Sequence, residues 1–159
     1  MPTTRSDAAP FAPVPVVALD HPDDWEPLVL PDALVAVAET VQPGPFRANV
    51  VVTRRRVAAE QGTELLESAI ADVTSDLEGA ERWAELGSEY RAVLGLDGYR
   101  VEGAFVMPGT GTVFQAVHLT VVGHGPVADV IGITATCGAD EGERLVPTLR
   151  AVLDSARLA

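Results

Sequence analysis

The chain has 159 residues with 23 Asp or Glu against 11 Arg and no Lys, so its formal net charge is −12. Hydrophobic residues make up 47% and charged residues 21%, which is typical of a folded domain. This acidic excess repels phosphates and excludes nucleic acid as the main partner. The single cysteine, Cys137, excludes an intrachain disulfide and a cysteine-based zinc site.

Targeting and membrane signals are missing from the sequence pattern. Pro residues and Asp7 interrupt every N-terminal window that could serve as the apolar core of a secretory signal. No segment approaches the roughly 20 apolar residues of a membrane-spanning helix. We therefore expect a cytoplasmic location, no membrane partner, a flexible tail over residues 1–13 and a single domain over residues 14–159.

The first half of the chain predicts short strands followed by one helix. Apolar segments at Pro15–Leu19 and Ala33–Val41 predict strands, and Asp20–Pro27 between them predicts a turn. The segment Phe46–Thr53 alternates, with its even-numbered residues forming an apolar face. Apolar residues then recur every three or four positions across Gly62–Leu86, which predicts an amphipathic helix.

The second half predicts antiparallel strands and a closing helix. Short Gly-containing turns, the first at Asp97–Gly98, join four β-rich runs. The runs are Glu89–Leu96, Tyr99–Met107, Thr112–Val122 and Val127–Cys137. The last helix ends near Ala156 and carries Pro147, which predicts a kink or a late start. Together these elements predict an α+β fold in which two helices pack on a mainly antiparallel sheet.

The triplet Arg54–Arg56 has two interpretations, a phosphate site or a solvated strand end. It lacks a neighbouring Gly-rich cradle and interleaved aromatic residues, and the chain as a whole is acidic. Strand alternation also points Arg55 away from Arg54 and Arg56, so the triplet is not one patch. We favour the solvated strand end and expect that replacing all three by Ser leaves folding largely intact.

Polar residues in the middle of two strands are the candidate ligand-binding residues. His118 and Thr120 share one face of their strand, and Thr134 and Thr136 share one face of the next. If the two faces coincide, these four side chains form a mildly polar floor that can hold a small ligand. The alternative, which we favour, is an ordinary sheet face whose polar groups are satisfied locally.

No motif in the sequence supports catalysis. The three histidines lack zinc-site spacing, the Gly109–Thr112 turn lacks the Lys of a phosphate loop, and no serine elbow is found. Cys137 has no nucleophile signature around it. We predict no enzymatic activity, no catalytic residue, no metal and no cofactor. A His118 side chain within roughly 3 Å of Cys137 would make a nucleophile–base pair plausible.

Several short motifs together resemble a known family. They are Pro-x-x-Trp at Pro22–Trp25, the strand Asn49–Val52, Gly98 before a strand, the central Gln115, and Thr-Ala-Thr at Thr134–Thr136. This pattern resembles the LpqN-type proteins of high-GC Gram-positive bacteria, within the PsbP-like α/β/α sandwich group. The resemblance implies an antiparallel sheet of about six or seven strands flanked by helices. LpqN-type members usually carry a lipoprotein signal with a cysteine, which this sequence lacks.

The resemblance implies a function in binding and supplies no catalytic residue, because proteins of this fold group mostly act as binding or accessory proteins. We therefore expect a non-enzymatic module that binds a protein partner through a sheet face, a sheet edge or a loop. The alternative is a small-ligand carrier that uses the polar floor around His118 and Thr134. An enclosed cavity at these residues would favour the carrier, and a filled interior the protein-binding module.

Overall fold

A computed structural model describes residues 1–3, 12–59 and 64–159. The first half contains strands β1 to β4 and one helix: β1 (Val17–Ala18), β2 (Trp25–Leu28), β3 (Ala33–Glu39), β4 (Asn49–Ala58) and α1 (Leu65–Glu78). Four long strands follow: β5 (Ala84–Val93), β6 (Leu96–Met107), β7 (Gly111–Gly123) and β8 (Val127–Gly138). A 3₁₀ turn leads into α2 (Gly142–Ser155), and β9 (Arg157–Leu158) ends the chain.

The strands form a seven-stranded sheet in the order β2-β3-β4-β8-β7-β6-β5, in which every neighbouring pair is antiparallel. Strands β1 and β9 form a separate antiparallel pair. Short hairpins connect β5 through β8, whereas β4 joins the sheet by pairing with β8. The predicted α+β fold, with a sheet of about six or seven strands flanked by helices, is confirmed.

The two helices lie on opposite faces of the sheet, which we call the α1 face and the α2 face. On the α2 face, apolar side chains of β4, β7 and β8 pack against α2, and Val50, Ile133 and Leu149 are fully buried. The predicted apolar face of Phe46–Thr53 lies here, because Ala48, Val50 and Val52 all point towards α2. This face therefore holds most of the hydrophobic core.

The α1 face has a smaller core. Its fully packed members are Leu77, Val101, Val117 and Leu119, and half-buried residues of α1 cover them. Trp83 lies directly over Gly103, where an added Cβ atom would come within 2.2 Å of the indole ring. Helix α1 thus covers the β6–β7 half of its face and leaves the half that contains β4 open.

Two strands differ from the sequence prediction. Strand β2 overlaps the end of the segment predicted as a turn. The sequence did not predict it, because four residues that include Pro27 are too short to show a strand period. Strand β4 continues to Ala58, so the three arginines lie within the strand and not beyond its end. Their side chains alternate between the two faces, as predicted.

The β5–β6 turn also differs from the prediction. It consists of Leu94 and Gly95, which both have positive φ, and not of Asp97 and Gly98. Asp-Gly is the stronger sequence signal for such a turn. Packing places the turn earlier in the chain, where Leu94 is buried in the core. Gly98 lies within β6, and glycine is needed there because a Cβ atom would lie 2.6 Å from the Leu119 carbonyl oxygen.

The ends of both helices differ from the prediction. Helix α1 ends at Glu78, with Gly79 as its C-cap, and the predicted stretch through Leu86 instead enters β5. Helix α2 begins at Gly142 with Pro147 inside it, so of the two outcomes predicted for Pro147, a kink or a late start, the late start is wrong. Most of the predicted tail, residues 4–11, lies outside the described residues, as do residues 62–63 of the predicted first helix.

Candidate functional site

The four predicted floor residues lie on opposite faces of the sheet. In the β7–β8 register, His118 is opposite Ile133 and Thr120 is opposite Ile131, so both lie on the α2 face. Thr134 is opposite Val117 and therefore lies on the α1 face, and Thr136 lies on that face too. The common floor is not formed, because even-numbered residues of β7 pair with odd-numbered residues of β8.

Two of these residues are satisfied within the sheet. The Thr120 hydroxyl is fully buried and donates a hydrogen bond of 2.8 Å to the Asp97 carbonyl oxygen. The Thr136 hydroxyl accepts a 3.2 Å hydrogen bond from the side-chain amide of Gln115. Neither hydroxyl needs a ligand, which agrees with the favoured alternative of local satisfaction.

His118 is buried among charged groups on the α2 face. Burial lowers the pKa of its imidazole to about 4, and the positive charges of Arg91 and Arg100 act in the same direction, while Asp154 and Glu102 oppose them. The ring is therefore neutral near pH 7. Cys137 is not the partner of His118. Cys137 is opposite Phe114, and Phe114 lies four residues before His118 on β7, which is a separation of roughly 13 Å along the strand.

Cys137 itself is not an activated thiol. It is fully buried, and this burial, together with the negative charge of Glu39, raises the pKa of the thiol to about 11. A thiolate is the reactive form of cysteine, so this residue acts as a small apolar side chain in the core. Within the described residues, no group of three or more His, Cys, Asp or Glu side chains could hold a metal ion.

Glu102 is the centre of an ion-pair network beside His118. Its carboxylate lies 2.9 Å from Arg100 and 2.7 Å from Arg150 of α2, and the residue is almost fully buried. Burial alone would raise the pKa of Glu102, but the hydrogen bond from Arg150 and the charges of both arginines outweigh it and lower the pKa. The network attaches α2 to β6 and is a structural feature of the α2 face.

The arginine triplet is divided between the two faces. Arg54 and Arg56 both donate to the fully buried carboxylate of Asp129, at 3.1 and 2.8 Å, and His124 lies 2.8 Å from the same group. The hydrogen bond from Arg56 is the main cause that lowers the pKa of Asp129 to about 2. The expectation of a solvated strand end is therefore wrong for these two arginines.

The third arginine lies on the α1 face. Arg55 is more than half exposed and its guanidinium is 3.3 Å from Asp72 of α1. The carboxylates that contact the arginine triplet are therefore Asp129 and Asp72, and no glutamate of α1 pairs with it among the described residues. Glu67 of α1 accepts a hydrogen bond from Tyr90.

A cleft of about 600 Å³ runs between α1 and the open half of the α1 face. Its floor is formed by β7 and β8, where Gly132 adds no side chain, and by the small side chains of Thr53 and Thr134. Its walls carry Asp32 before β3 and the acidic side of α1. The remaining lining residues are Arg54, Arg55, Ala69, Asp72, Val73, Ser75, Asp76, Val117, Leu119 and Val130.

The cleft has an apolar floor and a charged rim. Val117 and Leu119 are buried in the floor, whereas Asp72, Ser75 and Asp76 of the rim are exposed. Only Thr134 of the predicted residues lies in this cleft. A glycine inside a strand can mark a close approach of another chain or ligand, so Gly132 was the sequence signal that pointed to this place.

An apolar hairpin tip stands beside the cleft. The β2–β3 connection exposes Val29 completely and Leu30 by 40%, and a hydrogen bond from the Ala33 amide to the Leu30 carbonyl closes it. Asp32 of the same connection lines the cleft. Exposed apolar residues next to a cleft mark interaction sites more often than isolated ones do.

The fold and the site define an α/β/α sandwich with an open cleft on one face. Two solved structures are similar to it. The crystal structure of LpqN, involved in cell envelope biogenesis of Mycobacterium tuberculosis, has a TM-score of 0.76 and 15% identity over 96% of this chain and 87% of that chain. The solution structure of the cyanobacterial PsbP protein CyanoP from Synechocystis has a TM-score of 0.55 and 11% identity over 96% and 98%.

These similarities confirm the LpqN-type, PsbP-like fold that the sequence motifs predicted. At this level of identity, the similarity concerns the fold alone. No family model matches the chain, and no curated protein sequence matches it. Among the described residues, no helix is long and apolar enough to cross a membrane.

Proposed function

We propose that this protein is a binding or accessory module that holds an extended segment of a partner protein in the cleft beside α1. The observation that carries this proposal is the half-covered α1 face, where α1 leaves an apolar floor open next to β4. The fold similarity to LpqN and CyanoP is consistent with a binding protein and supplies no partner.

The chemistry of the cleft indicates what the partner carries. Arg55 is neutralised by Asp72, and Arg54 by Asp129. Within the described residues, Asp32 and Asp76 have no ion-pair partner, so the rim is left with two uncompensated carboxylates. A segment with apolar side chains for the floor and Arg or Lys at its flanks fits this arrangement.

The exposed hairpin tip extends the same surface. Val29 and Leu30 lie beyond Asp32, so a segment lying in the cleft would reach them within a few residues. Burying these two side chains against a partner would remove apolar surface from water, which stabilises a complex. Cleft and tip together form one continuous binding surface.

A displayed peptide library, selected on the immobilised wild-type protein, tests the proposal. Thr53→Trp fills the cleft, while Thr74→Trp places the same ring on an exposed position of α1 that does not line it. We expect selected peptides to be apolar with basic flanks and to lose at least about tenfold in affinity on Thr53→Trp only. Peptides that bind both variants equally, or no enrichment at all, would contradict the proposal.

A small-ligand carrier is the second candidate function. The cleft volume of about 600 Å³ lies within the range of roughly 300–1,000 Å³ for small-molecule sites, and Thr134 lines it. His118 would have no part in such a site because it lies on the other face. The double variant Val29→Ser/Leu30→Ser separates the two functions, since it should weaken peptides and spare a small ligand, with exposed Val41→Ser as its control.

The location of the protein stays a prediction. The sequence predicts the cytoplasm, whereas LpqN is involved in cell envelope biogenesis. Fractionation of the native host, followed by detection of this chain in cytoplasmic and envelope fractions, distinguishes the two. Recovery in the envelope fraction would replace the cytoplasmic prediction and restrict the search for the partner to that compartment.

A further inference from the structure

The two edges of the seven-stranded sheet differ in how they are protected. Strand β2 at one edge is only four residues long and contains Pro27, which has no amide hydrogen to offer a new strand. Strand β5 at the other edge is ten residues long and contains neither Pro nor Lys. Within the described residues no strand pairs with its outer side.

The side chains of β5 are also unusual for a free edge. Leu86 and Tyr90 are 68% and 64% exposed, although both are large and apolar in part. A register shift between Glu85 and Gly87 disturbs the start of the strand. The regular part, Gly87–Val93, is therefore the segment available for pairing.

This regular segment is self-complementary about Tyr90. We propose that β5 pairs antiparallel with β5 of a second copy of this chain, with Tyr90 on the two-fold axis. Glu89 would then lie opposite Arg91 of the second copy, and Arg91 opposite its Glu89. Ser88 would lie opposite Ala92, so the remaining pairs are small.

The faces of these side chains agree with the pairing. Glu89 and Arg91 are opposite Arg100 and Gly98 of β6, so both lie on the α2 face, where two complementary ion pairs would form. Tyr90 lies on the α1 face, with its ring 5.3 Å from that of Tyr99 in an edge-on arrangement. Two copies would join these rings into a row of four, and cross-strand aromatic and opposite-charge pairs both stabilise sheets.

Charge also explains why a second copy fits this edge. Glu89 lies 3.2 Å from Arg100 and Arg91 lies 2.9 Å from Asp154, but their side chains stay 53% and 33% exposed. Each therefore keeps hydrogen-bonding capacity for a group across the edge. The net charge of −12 on each copy opposes association, so we expect a weak dimer at physiological salt, where the Debye length is about 8 Å.

Charge reversal tests the register. In a dimer of Glu89→Arg, position 89 of each copy lies opposite Arg91 of the other, so both pairs across the edge are Arg–Arg. In a dimer of Arg91→Glu, both pairs are Glu–Glu. In sedimentation velocity, with folding checked by circular dichroism, each variant alone should dimerise about tenfold more weakly than wild type, or worse. An equimolar mixture should recover dimer, because positions 89 and 91 are both basic in the first variant and both acidic in the second, so every pair across the edge is again of opposite charge.

A cysteine scan tests the two-fold axis. In Tyr90→Cys the two introduced cysteines are directly opposed across the edge. Their Cα atoms are then about 4.5–5.5 Å apart, a distance that permits a disulfide. Ser88→Cys is the matched control, because the two Ser88 positions would be offset by four residues, roughly 13 Å. Under mild oxidation we expect Tyr90→Cys to form covalent dimer at least about tenfold faster than Ser88→Cys. The native Cys137 is fully buried and does not compete.

Two results would overturn the inference. One is a wild-type protein that stays monomeric up to roughly 1 mM, a concentration at which even a dimer of millimolar Kd is populated. The other is a folded variant mixture that fails to recover dimer. The cleft lies beside β4 and β8, away from β5, so Thr53→Trp should leave dimerisation unchanged. Failure of the dimer and failure of peptide binding are therefore separate outcomes.

Discussion

The α1 face and the α2 face of one sheet are covered by their helices to different extents. The α2 face buries the leucines of α2 against β4, β7 and β8, and two of its buried acids, Asp129 and Glu102, are each held by two arginines. The α1 face has a smaller core and an open cleft of about 600 Å³. Burial is thus concentrated on one face, which leaves uncovered the part of the other face that we propose as the binding surface.

Strand β4 shows the difference within three consecutive residues. Arg54 and Arg56 point to the α2 face and are engaged by a buried carboxylate, while Arg55 points to the α1 face and stays exposed at the cleft. Arginine side chains therefore form ion pairs with a buried acid on the α2 face, whereas the arginine on the α1 face is exposed to solvent. The burial of the partner acid decides how exposed each arginine is: Asp129 is fully buried, whereas Asp72 is exposed.

The largest expected effect compares one leucine from each helix. Leu149→Ala removes a fully buried side chain on the α2 face, so the free energy of unfolding should fall by about 2–5 kcal/mol. Leu66→Ala on the α1 face removes a half-buried one and should cost about 1–2 kcal/mol. Urea unfolding measures both, and equal losses would show that the two faces stabilise the fold equally.

The next effect concerns pH and the buried histidine of the α2 face. The pKa of His118 is about 4 in the folded state against 6.5 for the unperturbed group, so the unfolded chain binds a proton first as pH falls. The contribution of His118 to the free energy of unfolding should be fully present above pH 6.5. The free energy of unfolding should then decrease by about 2–3 kcal/mol as pH falls to 4. Urea midpoints between these pH values measure the decrease.

His118→Gln is the control for this pH dependence. The variant carries no titrating ring and should show a flatter profile between pH 6.5 and 4. Asp129 and Glu102, whose pKa values are lowered in the folded state, are present in both proteins, so the part of the profile that their carboxylates cause is the same in both and cancels in the comparison. A wild-type profile as flat as that of the variant would mean that His118 titrates normally and that the α2 face does not shield it.

The smallest effect separates the arginines of β4. Arg54→Ser/Arg56→Ser leaves the Asp129 carboxylate buried with only His124 beside it, and an unsatisfied buried group costs about 1–3 kcal/mol. Arg55→Ser changes an exposed side chain and should alter the free energy of unfolding by less than about 0.5 kcal/mol. Thermal unfolding of both variants checks the difference. Equal midpoints would restore the interpretation of a solvated strand end.

Much of the fold was predictable, because local patterns are enough for it. The alternation in β4, the Gly-containing hairpins and the stripe of α1 all predicted elements that the structure contains. Strand β2 was missed because four residues with Pro27 carry no period. The Leu94–Gly95 turn was missed because a buried leucine with positive φ has no local signal.

The candidate site was less predictable. Thr134 was named as a small polar residue on a strand face and it lines the cleft, but it was assigned to the same floor as His118. The acids of the rim come from α1 and from the segment before β3, which are far apart in sequence. No spacing rule links them, since only packing of α1 on the sheet brings them together.

The sequence by itself determined which side chains share a face of each strand, because alternation is a local property of the extended backbone. It also determined the antiparallel α+β class, through short hairpins and two amphipathic helices. Only the tertiary structure decided which faces of neighbouring strands coincide, since a shift of one residue in register moves every side chain to the other face. The β7–β8 register places His118 and Thr134 on opposite faces, and the β4–β8 register places Asp129 opposite Arg56. The packing of α1 on the sheet then leaves the cleft beside it open.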